Sequence, residues 1–227
     1  MNQPIQDENR LDPGVVTSIK AQQKSRDRVS IFIDGTFAFG IHSEVLLHHA
    51  VPVGEHLSEK GIAALIEEDA YYRARDKAYH LLSYRQRSVK ELSDRLTGKG
   101  HGPKTVSRVI DRLMELDMLD DSAFSIEFAA ARVRSKGYGP GRIRNDLFKK
   151  GISPELIVKA LDKAYHDVSP EELARAAGRK ISDRLRRIDD PFKRRHRLTS
   201  YLARRGFSFD QMGAAVKELE NLDRKEL

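Results

Sequence analysis

The chain has 227 residues and carries 41 Lys and Arg against 34 Asp and Glu, which gives a net charge of +7. Its length suits one or two globular domains, and its 33% charged and 39% hydrophobic residues favour amphipathic helices over a thick buried sheet. The absence of cysteine excludes disulfides, zinc thiolates, iron–sulfur clusters and cysteine nucleophiles.

Charge is unevenly distributed along the chain. Residues 1–69 carry 6 basic and 11 acidic side chains, whereas residues 70–227 carry 35 and 23. The basic C-terminal part therefore indicates a polyanionic partner or an acidic protein surface. Residues 1–12 are polar and acidic, unlike a signal peptide, and no apolar run approaches the length of a membrane span. We therefore expect a cytosolic protein without a membrane partner.

The N-terminal region has the pattern of a small sheet. Residues 15–19 and 29–33 are rich in β-branched side chains, and Asp34-Gly35 precedes an alternating run over 36–41. An Asp-Gly pair between such runs is a strong hairpin signal. We predict a three-stranded β-meander with a polar turn over 22–27, followed by one short helix over 43–49.

From Ser58 onward, the apolar spacing is that of helices, and about nine helices fit before residue 222. Ser88 with Glu91 and Ser208 with Gln211 form capping boxes, in which the first and fourth residues satisfy each other's amides. Ser-Pro-Glu at 153–155 and at 169–171 places a cap before a proline in the first helical turn. No convincing strand follows the N-terminal region.

An internal repeat is the most informative feature. A glycine follows a leucine by four positions in each copy, and apolar residues recur six, nine and ten positions after the glycine. Such a glycine satisfies the last carbonyls of a helix in the left-handed conformation, with the basic residue before it at the negative end of the helix dipole. The three pairs are Leu96 and Gly100, Leu147 and Gly151, and Leu202 and Gly206.

A further helix precedes each pair, over residues 73–84, 121–136 and 171–188. The repeat therefore predicts a mainly α protein in which three tandem three-helix repeats form an elongated, chained helical rod after the small β-meander. The expected domain boundaries are 1–57 for the β-rich element with its short helix, then 58–118, 119–167 and 168–227 for the three repeats. We interpret the leucine and valine stripes as core.

These residues carry a resemblance to a known family. Residues 70–222 resemble RecX, the regulators of the RecA recombinase, and residues 1–54 match less closely. The telling parts are residues 78–82 with Ser88-x-x-Glu-Leu92, then Leu119-Asp120-Asp121 with Phe124 and Arg132, then Ile143-x-x-x-Leu147-x-x-Lys150-Gly151-Ile152.

The resemblance implies a non-enzymatic cytosolic protein that lies along the deep helical groove of RecA filaments. It further implies that the protein modulates, and chiefly inhibits, ATP hydrolysis, coprotease activity and strand exchange by RecA in DNA repair, recombination and the SOS response. The implied partners are the RecA filament and DNA.

The second repeat has a net charge of +6 over residues 128–150. The Gly-rich loop over 136–142 has two open interpretations, a flexible loop that reaches a phosphate chain or a filament groove, or a plain turn between two helices. The predicted partner- or nucleic-acid-binding residues of this repeat are Arg132, Lys136, Tyr138, Arg142, Arg144, Lys149 and Lys150.

The third repeat is more basic still, with 12 basic and 3 acidic residues over 175–205. A solvated helix face usually mixes charges, so a patch of one sign indicates binding. Such side chains make sequence-independent contacts with phosphates and suit an acidic protein surface equally. The predicted binding residues here are Arg184, Arg187, Lys193, Arg194, Arg195, Arg197, Arg204 and Arg205.

No catalytic constellation stands out, because the sequence lacks a phosphate loop, a His-Glu-x-x-His motif and a Gly-x-Ser-x-Gly motif. We therefore predict no enzyme activity and no cofactor. His42, His48, His49 and His56 lack a carboxylate ligand pattern, so we predict no metal site. We interpret Asp120-Asp121 and Asp189-Asp190 as helix caps rather than Mg²⁺ ligands, because helices follow both pairs.

Two rival functions stay open. A general DNA-binding protein would compete with a recombinase for single- or double-stranded DNA, since the helix–Gly–helix pairs resemble helix-turn-helix connections. A nucleic-acid-processing enzyme fits less well, because no nucleophile or metal cluster is present. We expect a monomer, because the repeats account for the apolar stripes.

Overall fold

The structure is a computed structural model that describes residues 12–23, 25 and 27–223. Residues 1–11, on which the expectation of no export depends, lie outside this range. The described N-terminal residues form an antiparallel sheet of four strands in the order β3-β2-β1-β4. The strands are β1 (Gly14–Ala21), β2 (Arg28–Ile33), β3 (Thr36–His42) and β4 (His56–Leu57).

The predicted meander is confirmed as β1, β2 and β3. Asp34 and Gly35 have φ values of 49° and 81°, which is the pair of left-handed residues that a tight hairpin turn requires. The prediction missed β4, which pairs Leu57 with Gly14 and His56 with Val15. A strand of two residues has no alternating pattern, so only its pairing partner identifies it.

The predicted short helix is confirmed as α1 (Ser43–His49). It packs with the sheet and with the start of α2 (Glu59–Tyr84) in one apolar core. A buried carboxylate on α2, Asp69, accepts hydrogen bonds from the Arg28 side chain at 3.0 Å and from the His42 amide at 2.8 Å. Because a buried charge needs partners, these bonds fix the sheet against α2.

Ten helices lie between residues 59 and 223, which are described without a gap, where about nine were predicted. The extra helix arises because the predicted helix over 171–188 is two helices. The Ile181 amide bonds to the Gly178 carbonyl at 3.0 Å and the Ser182 hydroxyl to the Arg179 carbonyl at 2.8 Å, which ends the regular helical pattern. After α2 come α3 (Val89–Thr97), α4 (Pro103–Glu115), α5 (Asp121–Lys136), α6 (Pro140–Lys149), α7 (Pro154–Ala164), α8 (Pro170–Arg179), α9 (Ser182–Arg186), α10 (Pro191–Arg204) and α11 (Phe209–Asp223).

The described residues divide into two compact units. One comprises the residues up to 85 with residues 93–115, and the other comprises residues 86–92 with those from 116 onward. The second unit holds two apolar cores, one in the second module (α5, α6 and α7) and one in the third module (α8 to α11). Leu147 and Leu202 are 0% exposed in these cores, so their interpretation as core residues is confirmed.

The repeated glycines adopt the predicted conformation. Gly100, Gly151 and Gly206 have φ values of 87°, 80° and 90°. The capping box of Ser208 and Gln211 is also confirmed, with reciprocal bonds at 3.0 and 3.4 Å. None of the described helices combines the length and the apolar character that a membrane span needs.

Candidate binding surface

A polar groove of about 520 Å³ lies between the start of α6 and the loop that joins α10 to α11. Three predicted cations line it, namely Arg142 and Arg144 on α6 and Arg204 at the end of α10. Asn145, Ser208 and Gln211 add neutral hydrogen-bonding groups, and none of the described residues that line the groove is acidic. Arg142 pairs with Asp146 at 3.3 Å, whereas the exposed guanidinium groups of Arg144 and Arg204 lie beside neutral donors and suit phosphate or carboxylate oxygens.

Backbone contacts hold the two sides of this groove together. The Gly139 amide donates to the Arg205 carbonyl at 2.8 Å, and the Gly141 amide donates to the Gly206 carbonyl at 2.9 Å. A Cβ on Gly139 would lie 2.5 Å from the Gly206 carbonyl, and a Cβ on Gly206 would overlap the backbone of Arg142. Only glycine permits this approach. We call this contact the glycine junction, and it fixes the spacing between the basic residues on the two sides.

Tyr138 lies half-buried against the core of the second module. Its carbonyl accepts a 2.5 Å hydrogen bond from the Tyr165 hydroxyl, and burial raises the pKa of Tyr165, so that hydroxyl stays a donor. The guanidinium groups of Arg142 and Arg205 lie 5.4 and 5.3 Å from the centre of the Tyr138 ring. Of the two interpretations of the loop over 136–142, these contacts favour the fixed turn.

Arg205 contributes to this turn from the third module. Its Nη2 atom donates to the carbonyls of Lys136 and Gly137, where α5 ends. A cation at the C-terminus of a helix satisfies carbonyls that lack a partner within the helix. The structure therefore gives Arg205 a role in joining the two modules, beside the predicted role in binding.

Two more predicted cations of the second module pack on aromatic rings. Lys150 Nζ lies 2.7 Å from the Glu91 carboxylate and 5.2 Å from the centre of the Phe128 ring. The Arg132 guanidinium lies 4.9 Å from the same ring. These contacts give both side chains a packing role in this module. The exposed predicted residues of the module are Lys136, Arg142, Arg144 and Lys149.

The remaining predicted cations of the third module lie on α9, on α10 and, for Arg187, directly after α9. Arg195 pairs with Glu220 at 3.1 Å, Lys193 lies 3.6 Å from Asp190, and Arg194 is half-buried. Arg194 is therefore a poor target for a charge reversal, because its replacement would disturb packing. The exposed members of this set are Arg184, Arg187, Lys193, Arg195, Arg197 and Arg204.

One residue of each acidic pair, Asp120 or Asp190, caps the helix that follows it. The Asp120 carboxylate accepts from the amides of Ser122 and Ala123, and Asp190 accepts from those of Phe192 and Lys193. The amides of Lys193 and Phe192 lower the pKa of Asp190, so the cap is ionised at neutral pH. Within residues 12–23, 25 and 27–223, no group of three or more His, Asp or Glu side chains is arranged to hold a metal ion.

Three phenylalanines of the second and third modules lie outside the apolar cores and are exposed. Phe148, Phe192 and Phe209 are 68%, 86% and 77% exposed. Phe192 lies six positions before the buried Leu198, which is off the apolar face of α10. The sequence analysis did not single out Phe192, although helical spacing was the signal that could have identified it as a surface residue.

Comparison with known proteins agrees with this architecture. The RecX N-terminal domain matches residues 14–58, and the first, second and third three-helix domains of RecX match residues 74–113, 120–161 and 167–216. The chain belongs to the RecX family. The N-terminal match extends the resemblance to the strand-rich region, and the three-helix matches confirm the predicted repeats.

Two relatives and two solved structures show how far this similarity extends along the chain. Regulatory protein RecX of Clostridium acetobutylicum is 29% identical over 92% of this chain and 98% of its own. That of Bacillus velezensis is 31% identical over 93% and 81%. A crystal structure of regulatory protein RecX has a TM-score of 0.72 and 26% identity, covering 90% of this chain and 98% of its own. RecX from Lactobacillus salivarius, with a TM-score of 0.57, 23% identity and coverage of 68% and 99%, supports the fold alone.

Proposed function

We propose that this RecX-family chain acts in the cytoplasm, binds filaments of the RecA recombinase and inhibits their ATP hydrolysis, coprotease activity and strand exchange. The observation that carries the proposal is the arginine-lined groove at the glycine junction, in a chain whose family is named for regulation. The partner itself is inferred from the resemblance to RecX.

A nucleoprotein filament offers two kinds of anion, the phosphates of its DNA and the carboxylates of its subunits. Arg144 and Arg204 are exposed on opposite sides of the groove, and a guanidinium donates two parallel hydrogen bonds to either kind of anion. Because the glycine junction holds the two modules in one arrangement, the arginines of both modules contact the filament with a fixed spacing. A protein held in this way across several subunits hinders strand exchange and subunit turnover.

We assign no chemical step to this groove. Its side chains are guanidinium, amide, hydroxyl and apolar groups, and none of the described lining residues is a general base. Inhibition then depends on the fraction of the filament to which the protein is bound, and it increases with the affinity of the protein for the filament.

A paired charge reversal tests this proposal. The variant Arg144→Glu with Arg204→Glu places two negative charges in the groove, and we expect at least a tenfold loss of affinity for DNA-bound RecA, or about 1.4 kcal/mol. The matched control is Lys159→Glu with Lys163→Glu, which makes the same change in net charge on exposed residues of α7 outside the groove. Co-sedimentation with preformed filaments measures both variants. Equal binding by the groove variant and the wild type would contradict the proposal.

A second candidate is a DNA-binding protein that competes with the recombinase. It is favoured by the exposed cations of α9 and α10, which give salt-dependent contacts with any phosphate chain. The two functions differ in their dependence on order of addition, because a competitor loses its effect once RecA already occupies the DNA.

A further inference from the structure

The most exposed large apolar side chain among the described residues is Phe192, at 86%. It is the second residue of α10, and its amide donates to the Asp190 carboxylate at 2.8 Å, so the backbone that carries the ring is held in a capped helical turn. The ring faces away from the apolar core of its module, in which it takes no part. Packing within the third module therefore gives no reason for a large aromatic residue at this position.

The ring belongs to a shallow groove that combines two apolar side chains with two cations and a histidine. The groove has a volume of about 490 Å³, and its lining is Ile188, Phe192, Lys193, His196 and Arg197. The carboxylate of Asp190, which caps α10, lies 3.6 Å from Lys193. No acidic residue is part of the described lining, so the surface around the ring is complementary to an anion.

We propose that this groove binds single-stranded nucleic acid, with one base stacked on Phe192 and the flanking phosphates held by Lys193 and Arg197. A flat aromatic ring beside cations is the arrangement with which proteins bind single strands without sequence preference. Duplex DNA buries its base faces and leaves the ring without a partner. An acidic polypeptide without aromatic residues would engage the cations but would offer no flat ring to stack on Phe192. The inference deepens the DNA contact of the proposed function and rests on it.

The chain supplies a matched control at Phe209. This residue is also an exposed phenylalanine, at 77%, and it also lies in the first turn of a helix of the third module. Its neighbour along α11 is the exposed Asp210 instead of a cation. The two positions therefore share exposure and helical context but differ in charge.

Because the chain has no tryptophan, each position accepts a single fluorescent reporter. We would prepare the full chain with Phe192→Trp and, separately, with Phe209→Trp, and titrate each with an oligothymidylate and with a duplex of equal length. The proposal predicts that the oligothymidylate quenches the first reporter, that the duplex leaves it bright, and that the second reporter responds to neither. Fluorescence anisotropy of labelled DNA reports binding in every case.

Affinity and salt dependence give a second readout. We expect Phe192→Ala to weaken binding to the single strand by about 5- to 150-fold, the range found for one stacked base, with no change in the dependence on salt. Arg197→Ala should lower the salt slope by about 0.7, because it removes one phosphate contact. Circular dichroism of the variants checks that the exposed substitutions leave the fold intact.

Three outcomes would overturn the proposal. Binding of the single strand without quenching at position 192 would show contacts by cations alone. Equal quenching by the duplex would exclude stacking on an open base. Quenching by polyglutamate but not by the oligothymidylate would assign the groove to an acidic protein.

The same assays separate this proposal from the proposed function, because they contain no RecA. Quenching at position 192 without any effect on RecA filaments would leave the stacking site standing and reject the regulator. Inhibition of RecA by a chain that does not bind single-stranded DNA would support the regulator and reject the stacking site.

Discussion

Gly100 and Gly206 occupy the same place in the repeat, with φ values of 87° and 90°, but their surroundings differ. Among the described atoms, a Cβ on Gly100 would meet nothing within 4 Å, whereas a Cβ on Gly206 would overlap the backbone of Arg142. Both glycines end a helix, and only Gly206 also joins two modules. The repeat motif thus encodes a turn in every copy, while tertiary contacts add a second role in the last copy.

Gly151 is intermediate between these two. A Cβ at this position would lie 2.6 Å from the Cβ and 2.8 Å from the Cδ of Lys90. The Cβ of Lys90 moves only with its own backbone, but this overlap is less severe than the overlap of a Gly206 Cβ with the backbone of Arg142, so it constrains Gly151 less than the junction constrains Gly206. The three glycines therefore share one backbone conformation but differ in their surroundings. Gly100 faces open space, Gly151 faces a side chain and Gly206 faces a backbone.

The largest effect is expected for Gly206→Ala. The substitution combines the cost of a left-handed alanine with an overlap that forces the two modules apart, for a total loss of about 3 to 5 kcal/mol in the free energy of unfolding. Urea denaturation of the full chain measures it. A loss no greater than that of Gly100→Ala would show that the junction contributes nothing to stability.

Unlike the glycines, the leucines of the motif should lose similar amounts of unfolding free energy when they are replaced by alanine. Leu147→Ala and Leu202→Ala each remove a side chain that is 0% exposed, and each should cost about 2 to 5 kcal/mol because a cavity remains. The control is Val158→Ala on α7, where the side chain is 52% exposed and the expected change is within about 0.5 kcal/mol. An unchanged thermal midpoint for Leu147→Ala would contradict the packing of the second module.

The smallest effect of the series is expected at Gly100. Gly100→Ala should cost about 1 to 2 kcal/mol, because only the left-handed conformation opposes it. Gly100→Asn should cost less, since asparagine adopts this conformation more readily than alanine. Denaturation curves for both variants sharpen the comparison. A loss for Gly100→Ala as large as that for Gly206→Ala would remove the distinction between the copies.

Local patterns predicted most of the fold. The Asp34-Gly35 turn, the helix over 43–49 and the left-handed glycines are set by neighbouring residues, and the structure confirms each of them. The strand β4 was missed because two residues acquire strand geometry only by pairing with β1. The break between α8 and α9 was missed because the helical period continues through Ile181, while hydrogen bonds to Gly178 and Arg179 interrupt the helix.

The binding surface was less predictable from sequence than the fold. The basic stretches identified Arg142, Arg144 and Arg204, but the sequence did not indicate that they share one groove, because residues about 60 positions apart meet only through the glycine junction. Charge alone also does not distinguish a cation that packs on a ring, such as Lys150, from one that is exposed. The predicted domain boundaries at 57, 118 and 167 stay a prediction.

The central claim is that the two modules at the glycine junction bind an assembled RecA filament. The most direct test is the rate of DNA-dependent ATP hydrolysis by RecA when the protein is added after filaments have formed, at well below one molecule per RecA. We predict inhibition by the wild type and by Lys159→Glu with Lys163→Glu, and little inhibition by Arg144→Glu with Arg204→Glu. Inhibition that occurs only when the protein meets the DNA before RecA would contradict the claim and identify a competitor for DNA.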